Sequence, residues 1–411
     1  MDFDLPAEDD PRRLAVREWL AEHPNPTTAE LHAAGYVVPH WPKPYGLDAD
    51  PIEQLIIDDE LRRAGVGRSA SAINAIGVGW AAPTIFLAGS DWQKERFLHP
   101  IFRAEEIWCQ LFSEPDAGSD LASLATRAER DGDEYVINGS KIWSSGAHKS
   151  TFGILIARTD PDVPKHKGLS YFIVPMDLPG VTLQPIVDMA GAHSFNQTFF
   201  DNVRLHEKYR VGAEGDGWRL AKVTLANERV SLSSGGSLWG SGPSAGDLLD
   251  LVRQAGGTRD PLLRQDLARL WCESEVLRLG RLRTLTARVQ GRQPGPEASI
   301  QKIMGDEHGQ HVMALAQRLV GADGMLTGAG PAGDLRPGAR TGPTEINVAR
   351  QFPDVDPIWH YGFLFSPALT IGGGTFAVQR NIVAELVLGL PREPDVERGL
   401  NWRETRERRP A

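Results

Sequence analysis

The sequence predicts an α+β fold in which helical parts flank a β-rich middle part. Apolar residues recur at three- and four-residue intervals before residue 109 and again after Gly217, which is the period of an amphipathic helix. Between these parts the chain shows short β-rich runs separated by turn residues. With 411 residues it also exceeds the roughly 250–300 residues that one hydrophobic core supports. Two or three domains are therefore expected.

Residues 1–108 are predicted to form an N-terminal helical domain. Its helical segments are PRRLAVREWLAEH, PIEQLIIDDELRRAG and, after a proline, APTIFLAGSDWQKERFLHPIF. Each segment places apolar residues three or four positions apart.

Residues 109–215 are predicted to form a small antiparallel β-barrel or sandwich. The strand-like runs are EYVI, KIWS, FGILIA, LSYFIV, VTLQPI and QTFFDNVRL. The first two runs flank Asn138-Gly139, a pair of residues that favours a type I′ hairpin turn. We therefore expect a hairpin at that point.

Residues 216–411 are predicted to form a C-terminal helical domain. Its helical segments are WRLAKVTLANERVSL, DPLLRQDLARLWCESEVLRLGRLRTLTARVQG, ASIQKIMGDEHGQHVMALAQRLV and FAVQRNIVAELVLGL. Loops are expected at 233–246 and 328–357. The charged sequence RETRERRP near the end is interpreted as a solvated tail.

Composition excludes several classes of protein. A net charge of −10 argues against nucleic acid as a partner, because phosphate contacts need a clustered basic surface. No run approaches the ~18 apolar residues that span a bilayer, and the acidic start MDFDLPAEDDPRR lacks the features of a secretory signal. Cys109 and Cys272 lack metal-ligand spacing, and so few cysteines suit a reducing compartment. We expect a cytoplasmic protein.

Three short motif matches are interpreted as chance. Gly328–Gly333 fits G-x-G-x-x-G but is not flanked by a strand and a helix. Gly242–Gly246 fits G-x-S-x-G but follows a loop of small residues instead of a strand. His308 and His311 lie three positions apart on a predicted helix, yet no third ligand stands near them in the sequence. No metal site is predicted.

The segment LFSEPDAGSDLASLATRAERDGDEYVINGSKIWSSGAHKS at 111–150 is more informative. It places Ser113, Gly118 and Ser119 on a tight turn that leaves a strand, where hydroxyl and backbone N–H groups can reach a polar ring edge or a phosphate. Taken alone, this pattern is more typical of an ordinary turn than of a binding site.

Several segments together resemble the acyl-CoA dehydrogenases. SEPDAGSDL, YVINGSKIWSSG, GLSYFIVP, NERV and GGGT…VQRNIVAE…LGLPRE occur in the order and spacing of that family. APTIFLAGSDWQKERFLHPI, LANERV and PGPEASIQK are similar to actinobacterial members that act on sterol side-chain thioesters. The resemblance implies an N-terminal helical domain, a middle β-barrel and a C-terminal four-helix bundle, with FAD held between them.

The resemblance also implies which residues bind FAD. Ser113 would be the hydroxyl partner of the flavin, and Ser119 would lie near the flavin or the pantetheine of the substrate. Trp143 and Ser145 would cover the other edge of the flavin. The implied cofactor residues are Gln110, Phe112, Ser113, Gly118, Ser119, Trp143, Ser145 and Thr375, and Ser119 is also an implied substrate contact.

The catalytic base is not in its most common place. Removal of the α-proton of a thioester needs a carboxylate against that carbon. Many family members carry a glutamate two residues before the threonine of the glycine-rich turn, where this chain has Gly373. Other members, isovaleryl-CoA dehydrogenase among them, carry it on the helix after the barrel, one residue before an arginine. The resemblance thus implies Glu228 as the base and Arg229 as a substrate-binding residue.

Two family motifs are altered. The motif R-x-x-F-G-x-P, which contacts the FAD of a neighbouring subunit, is replaced by GGTRDPLLRQDLARL. The motif Q-x-x-G-G-x-G becomes RLVGADG, with Arg318 and Ala322 at the glutamine and the second glycine. In the sterol-type group such losses accompany heterotetramers with fewer FADs than subunits.

We therefore expect an FAD-dependent dehydrogenase that forms a 2,3-enoyl thioester from a branched or bulky acyl-CoA. The expected electron acceptor is an electron-transfer flavoprotein, and the expected assembly is a homotetramer or a heterotetramer with a related subunit. One alternative is a dehydrogenase of a carrier-protein-bound acyl group in natural-product biosynthesis. The other is a non-catalytic subunit that completes the FAD site of its partner, but such a subunit would have no need of Glu228.

Overall fold

The computed structural model describes residues 6–66, 74–232, 238, 242–254, 256–289, 295–320 and 358–408, with the backbone alone at 229–232, 285, 288, 289 and 320. The predicted loop at 328–357, the motif at Gly328–Gly333, Ala322 and the side chain of Arg229 lie outside the described residues. Contacts divide the chain into two compact units. The first unit comprises residues 2–186, 194–227 and 394–411, and the second comprises residue 1, residues 187–193 and residues 228–393.

The described part of the first unit begins with five α-helices. They are α1 (Pro11–Glu22), α2 (Thr28–Ala33), α3 (Pro51–Arg63), α4 (Ala82–Ala88) and α5 (Asp91–Phe102), with a π-helical turn (Gly77–Ala81) before α4. The segment predicted as helical after Pro83 divides at Gly89, because Ser90 starts a new helix. The Ser90 hydroxyl accepts from the Gln93 N–H at 3.2 Å, and the Gln93 side chain accepts from the Ser90 N–H at 3.0 Å.

An eight-stranded sheet follows these helices. Its strands are β1 (Trp108–Leu111), β2 (Arg127–Asp131), β3 (Glu134–Lys141), β4 (Phe152–Arg158), β5 (Leu169–Pro175), β6 (Val181–Ile186), β7 (Phe195–His206) and β8 (Arg210–Val211). The order is β6-β7-β3-β2-β4-β5-β8, and β1 pairs with β4. The pairs β1–β4 and β2–β4 are parallel, so the prediction of a purely antiparallel sheet is wrong at these two pairs.

The predicted hairpin at Asn138-Gly139 is also wrong, because both residues lie inside β3. The chain turns earlier, at the two residues between β2 and β3, Gly132 and Asp133, where Gly132 has φ +66° and supplies the left-handed residue that a tight hairpin turn needs. Gly139 has φ +144° beside a β-bulge against β7. A Cβ added there would lie 2.6 Å from Thr126 Oγ1, so that glycine allows a close approach of two segments instead of a turn.

Two apolar clusters form the core of this unit. One joins the helices to the sheet, where Phe97 of α5 packs edge to face on Trp108 at 5.5 Å and on Phe152 at 5.2 Å. The other includes Cys109 and Phe172. Trp108 and Cys109 belong to different clusters, as expected for successive residues of a strand.

The end of the chain also belongs to this unit. The charged residues at 403, 404 and 406–408 are exposed, in agreement with the interpretation of RETRERRP as solvated. The segment forms α12 (Trp402–Glu407), numbered after the helices of the second unit. The Trp402 indole donates to the Ser123 carbonyl at 3.2 Å, and its backbone N–H donates to the Val163 carbonyl at 3.0 Å. Arg403 pairs with Asp162 at 2.7 Å.

Helices form the second unit, as predicted. The helix α6 (Gly217–Leu232) crosses the division between the units, which falls after Asn227. The others are α7 (Ala245–Gln254), α8 (Pro261–Val289), α9 (Ala298–Val320), α10 (Ile358–Phe365) and α11 (Phe376–Ile382). Their core includes Leu248, Val312, Met313 and Leu369. Together with the sheet, these helices confirm the α+β fold.

Structure also accounts for two of the short motif matches. The Ser244 hydroxyl caps α7, since it accepts from the Asp247 N–H at 3.2 Å and lies 2.6 Å from the Asp247 carboxylate. His308 and His311 of α9 contact Glu273 of α8 at 3.0 and 3.2 Å.

Among the described residues, no group of three or more potential ligands could hold a metal ion. Within the same residues, no helix is both long enough and apolar enough to cross a membrane.

Candidate active site

The first part of the site is the turn after β1, called here the flavin turn (Phe112–Ser119). Strand β1, which contains Gln110, ends at Leu111. Glu114 and Ala117 then exchange two backbone hydrogen bonds of 3.1 Å, which close a tight turn. Phe112 is buried edge to face against Tyr171, whereas Gly118 and Ser119 are exposed. The turn therefore presents Gly118 and Ser119 at the surface of the first unit.

A second segment, Ile142–Gly146, lies directly beside the flavin turn. The Ile142 N–H donates to the Ser113 carbonyl at 2.8 Å, which places Trp143 next to Ser113. The segment is fixed on its other side by β7, because the Ser144 N–H donates to the Asn196 carbonyl at 3.0 Å. The fold thus brings together the predicted residues from Gln110 to Ser145, although they come from two separate motifs.

Trp143 has an unusual conformation. Its φ is +60°, in the left-handed region that a bulky residue rarely adopts, and its side chain is 56% exposed. Its ring makes an edge-to-face contact with Phe195 at 5.8 Å. Strained backbone and an exposed large aromatic ring are both features that concentrate at functional sites.

A buried ion pair supports both segments, and the sequence analysis did not single it out. Lys141 is fully buried and Glu114 is 8% exposed, and Lys141 Nζ lies 2.8 Å from Glu114 Oε1. Burial opposes the charge on Glu114, but the Lys141 ammonium and the N–H groups around it hold the pKa of that carboxyl below its ordinary value. The sequence did contain a sign of this pair, since Glu114 belongs to the motif SEPDAGSDL and Lys141 to the motif YVINGSKIWSSG.

The loop after the flavin turn is held by a second buried cation. The Arg158 guanidinium donates to the carbonyls of Ala122 at 2.6 Å and Leu124 at 3.1 Å. Burial lowers the pKa of Arg158 to about 10, so that it remains charged near neutral pH. Lys165 contacts Asp120, the residue after Ser119, at 2.9 Å. The backbone that follows the flavin turn is therefore fixed by side chains from β4 and the loop after it.

Glu228 belongs to the second unit and lies on α6, with 7% of its surface exposed. One turn earlier on the same helix, Thr224 Oγ1 lies 2.8 Å from Thr84 Oγ1 and 3.0 Å from the Tyr171 hydroxyl. These buried hydroxyl contacts fix the rotation of α6 at Thr224. A buried carboxylate at this position fits the requirement of a base that is shielded from water.

Thr375 also belongs to the second unit, where it is the N-cap of α11. Its hydroxyl accepts from the Val378 N–H at 3.3 Å. Gly373 and Gly374 before it have φ values of +65° and +85°, and the Gln379 amide donates to the Gly373 carbonyl at 3.1 Å. The turn is therefore built on left-handed residues, and it offers no carboxylate.

The residues of the first unit fit the demands of a flavin ring. An isoalloxazine needs a flat apolar surface and hydrogen-bonding groups along its polar edge. The ring of Trp143 offers a flat apolar surface. The hydroxyls of Ser113, Ser119 and Ser145 offer hydrogen-bonding groups. A Cβ added at Gly118 would meet no atom within 4 Å, so the backbone of the turn is open to a ligand.

Comparison with known proteins identifies the family. Models of the acyl-CoA dehydrogenase N-terminal, middle and C-terminal domains match residues 8–105, 109–203 and 215–388. IpdE1, an acyl-CoA dehydrogenase of Mycobacterium tuberculosis, is 37% identical over 88% of this chain and 87% of its own length. The chain belongs to the acyl-CoA dehydrogenase family. Members of this family are FAD-dependent oxidoreductases that act on CH–CH bonds, and the resemblance inferred from the motifs is confirmed.

Other relatives in the family are also actinobacterial or steroid-related. Acyl-CoA dehydrogenase FadE34 of M. tuberculosis is 39% identical over 92% of this chain, which spans 48% of the length of FadE34. Two solved structures, the Tcur3481-Tcur3483 steroid acyl-CoA dehydrogenase and the ChsE4-ChsE5 complex from M. tuberculosis, each give a TM-score of 0.73 at 30% identity. Each of the two alignments covers 96% of this chain and 100% of the chain in the solved structure.

Proposed function

We propose that the protein is an FAD-dependent dehydrogenase that forms a 2,3-enoyl thioester from a bulky acyl-CoA. The observation that carries this proposal is the juxtaposition of Ser113 and Trp143, joined by the hydrogen bond from Ile142 to Ser113. Bound FAD would supply the acceptor for the β-hydrogen of the substrate. Ser113, Ser119 and Ser145 would orient its polar edge, Trp143 would cover one side, and Gln110, Phe112, Gly118 and Thr375 would complete its surroundings.

Glu228 is the proposed base. It would accept the α-proton of the thioester on its carboxylate, since the glycine-rich turn has Gly373 in the place of a glutamate. Its low exposure supports this role, because a carboxylate with little water around it is a stronger base toward a carbon acid. Arg229, the next residue of α6, is proposed to contact the CoA side of the substrate.

The proposed substrate class is an acyl-CoA with a sterol-side-chain-like acyl group. Support comes from the steroid acyl-CoA dehydrogenase among the similar structures and from the mycobacterial relatives. Gly373 supports it too, because a residue without a side chain leaves more room beside the acyl chain than a glutamate would. Electron-transfer flavoprotein is the proposed acceptor, and the cytoplasm is the proposed location.

A related subunit is the proposed partner. Two family motifs for FAD contacts across a subunit interface are altered here, at GGTRDPLLRQDLARL and at Arg318. Arg318 instead pairs with Asp266 of α8 at 2.8 Å. Helix α8 also leaves large apolar side chains exposed, as is typical of interaction surfaces: Leu262, Trp271, Val276 and Leu279. One of the similar structures is described as a complex of two components, ChsE4 and ChsE5.

The proposal is tested by anaerobic reduction of the bound flavin. The protein is purified, together with a co-expressed related subunit where one is needed. It is then mixed with a CoA thioester of a steroid side-chain acid. We expect the visible absorption of oxidised flavin to disappear and a 2,3-enoyl-CoA to form. The same acyl group on a carrier protein is the comparison substrate. If only the carrier-bound substrate reduces the flavin, the carrier-bound acyl group replaces acyl-CoA as the proposed substrate. If neither substrate reduces the flavin, the proposed dehydrogenation of bulky acyl thioesters is wrong.

A further inference from the structure

The Glu114–Lys141 ion pair joins every segment that shapes the proposed flavin site of the first unit. Lys141 Nζ donates to the Phe112 carbonyl at 2.9 Å as well as to Glu114 Oε1 at 2.8 Å. Glu114 Oε1 also accepts from the Thr126 N–H at 2.9 Å, and Glu114 Oε2 accepts from the Ala125 N–H at 2.7 Å. One buried pair therefore connects the end of β1, the flavin turn, the loop after it and the end of β3.

The contacts are adjacent in sequence to the residues proposed to bind the ring. Glu114 follows Ser113 directly, and Phe112 precedes it. Lys141 stands two residues before Trp143. Because Trp143 lies at φ +60°, its position depends on tertiary contacts that hold the backbone in that region. A shift of either partner would change the spacing between the Ser113 hydroxyl and the Trp143 ring.

A pair of this kind is not explained by stability alone. Burial of two charges carries a desolvation cost that their attraction offsets only when the geometry is good and the remaining hydrogen-bonding groups are satisfied. Apolar residues of similar size are often at least as stabilising in such positions. Here one hydrogen bond joins the two partners, and three more connect the pair to the backbone of Phe112, Ala125 and Thr126. These contacts fix the position of the backbone around the pair.

We propose that Glu114 and Lys141 are positioning residues that set the spacing between Ser113 and Trp143 for a flavin ring. This inference rests on the proposed function, since it concerns the same site. Neither residue is assigned a contact with substrate or cofactor. They act through the backbone of Phe112, Ala125 and Thr126.

The test is a double variant, Glu114→Gln with Lys141→Met, which removes both charges of the pair together. FAD affinity is measured by titration of the apoprotein, the ring environment by the visible flavin spectrum and reduction potential, and folding by chemical denaturation. We expect a cooperative fold with an FAD dissociation constant raised roughly tenfold or more and a shifted flavin spectrum.

The matched control removes another buried lysine–carboxylate pair, Lys302–Asp306 of α9, whose charged atoms lie 2.6 Å apart. The double variant Lys302→Met with Asp306→Asn should lose stability to a similar degree but keep the flavin spectrum of the wild type. Equal effects of both double variants on stability and on FAD would show a purely structural role and overturn the inference. An unchanged FAD affinity and spectrum in the Glu114/Lys141 variant would overturn it as well.

A third variant decides the question if the Glu114/Lys141 double variant does not fold. Lys141→Arg keeps the charge but changes the donor geometry toward Phe112 and Glu114. We expect it to fold and to shift the flavin spectrum, and a wild-type spectrum would overturn the inference. A wild-type protein that binds no FAD, alone or with a partner, would overturn the proposed function and this inference with it.

Discussion

The guanidinium of Arg158 lies 4.5 Å from the ring centre of Trp402, and the same guanidinium donates to the backbone of the loop that follows the flavin turn. A cation over an aromatic face is stabilising, the more so when both are shielded from water. The last helix of the chain is thereby connected through Arg158 to Ala122 and Leu124. This connection joins residues that are more than half the chain apart in sequence.

From this contact we predict that Trp402→Ala lowers the free energy of unfolding of the first unit by about 1–2 kcal/mol, because it removes the cation–π contact and the hydrogen bond to Ser123. Chemical denaturation measures the loss. Arg403→Ala is the control: it removes only an exposed ion pair with Asp162 and should change stability by less than about 1 kcal/mol. Equal stability of wild type and Trp402→Ala would show that the last helix is not anchored by this contact.

Glu228→Gln should leave folding and FAD binding intact but slow flavin reduction by substrate at least about 10²-fold, the low end for general-base catalysis. The amide keeps the shape of the side chain and cannot accept the α-proton. Anaerobic single-turnover measurements follow the reduction. Glu385→Gln, which breaks an ion pair with Arg392 at 3.1 Å, is the control and should reduce its flavin at the normal rate. A wild-type rate in Glu228→Gln would place the base elsewhere.

A glutamate placed at Gly373 tests the same point from the other side. In the Glu228→Gln background, Gly373→Glu should restore part of the activity, because family members use both positions to reach the same carbon. The recovery should be incomplete. Gly373 has φ +65°, and a residue with a side chain is destabilised by roughly 1–2 kcal/mol in that conformation. No recovery together with a stable fold would mean that the turn cannot deliver a carboxylate to the substrate.

Ser113→Ala should weaken FAD binding by about 1 kcal/mol, or shift the flavin reduction potential, because it removes one hydrogen bond to the ring edge. The fold should not change, since Ser113 is held by its backbone carbonyl, which accepts from Ile142. FAD titration and potentiometry measure both effects. Ser274→Ala on α8 serves as the control. Affinity and potential equal to wild type would remove Ser113 from the proposed cofactor residues.

The isolated chain is predicted to bind FAD weakly and to need a related subunit for tight binding. The reason is the altered pair of interface motifs together with the exposed apolar side chains of α8. Flavin content and molar mass are compared for the chain alone and after co-expression. Trp271→Glu should reduce assembly, while Leu14→Glu, an exposed position on α1, should not. A homotetramer of the chain alone with one tightly bound FAD per subunit would contradict this prediction.

Stability of the first unit should fall as the pH decreases from about 6.5 to about 4. Burial lowers the pKa of His32 to about 4, with further contributions from His99, 2.9 Å away, and from Arg103. Between these pH values His32 is protonated in the unfolded chain but not in the folded chain. The contribution of His32 to stability is therefore complete above its unfolded pKa and is lost progressively as the pH falls toward its folded pKa. The loss is at most about 3 kcal/mol. Denaturation at several pH values measures the free energy of unfolding. This energy should fall with decreasing pH in the wild type and fall less in His32→Gln. In His206→Gln, which changes an exposed histidine, it should fall as in the wild type.

Local patterns in the sequence are sufficient for much of this fold. The helical periods of PRRLAVREWLAEH and ASIQKIMGDEHGQHVMALAQRLV predict α1 and α9, and the apolar run FGILIA predicts β4. The motif SEPDAGSDL predicts a polar turn after a strand, and the structure has one. These features depend on residues that are neighbours in sequence, so their geometry follows from helix period, strand alternation and turn chemistry.

Tertiary structure alone decided which turn signal is used and which distant residues meet. Asn138-Gly139 and Gly132-Asp133 both favour a hairpin, and only the pairing of β3 with β2 and β7 selects the second. Glu114 and Lys141 each look like surface residues until the fold buries them against each other, because the energy of a buried ion pair depends on the partner and not on the local sequence. Likewise the charged stretch RETRERRP is exposed, but Trp402 just before it contacts Arg158 of β4, which the local sequence does not indicate. Such contacts join segments far apart along the chain, so the sequence determines them only through the complete fold.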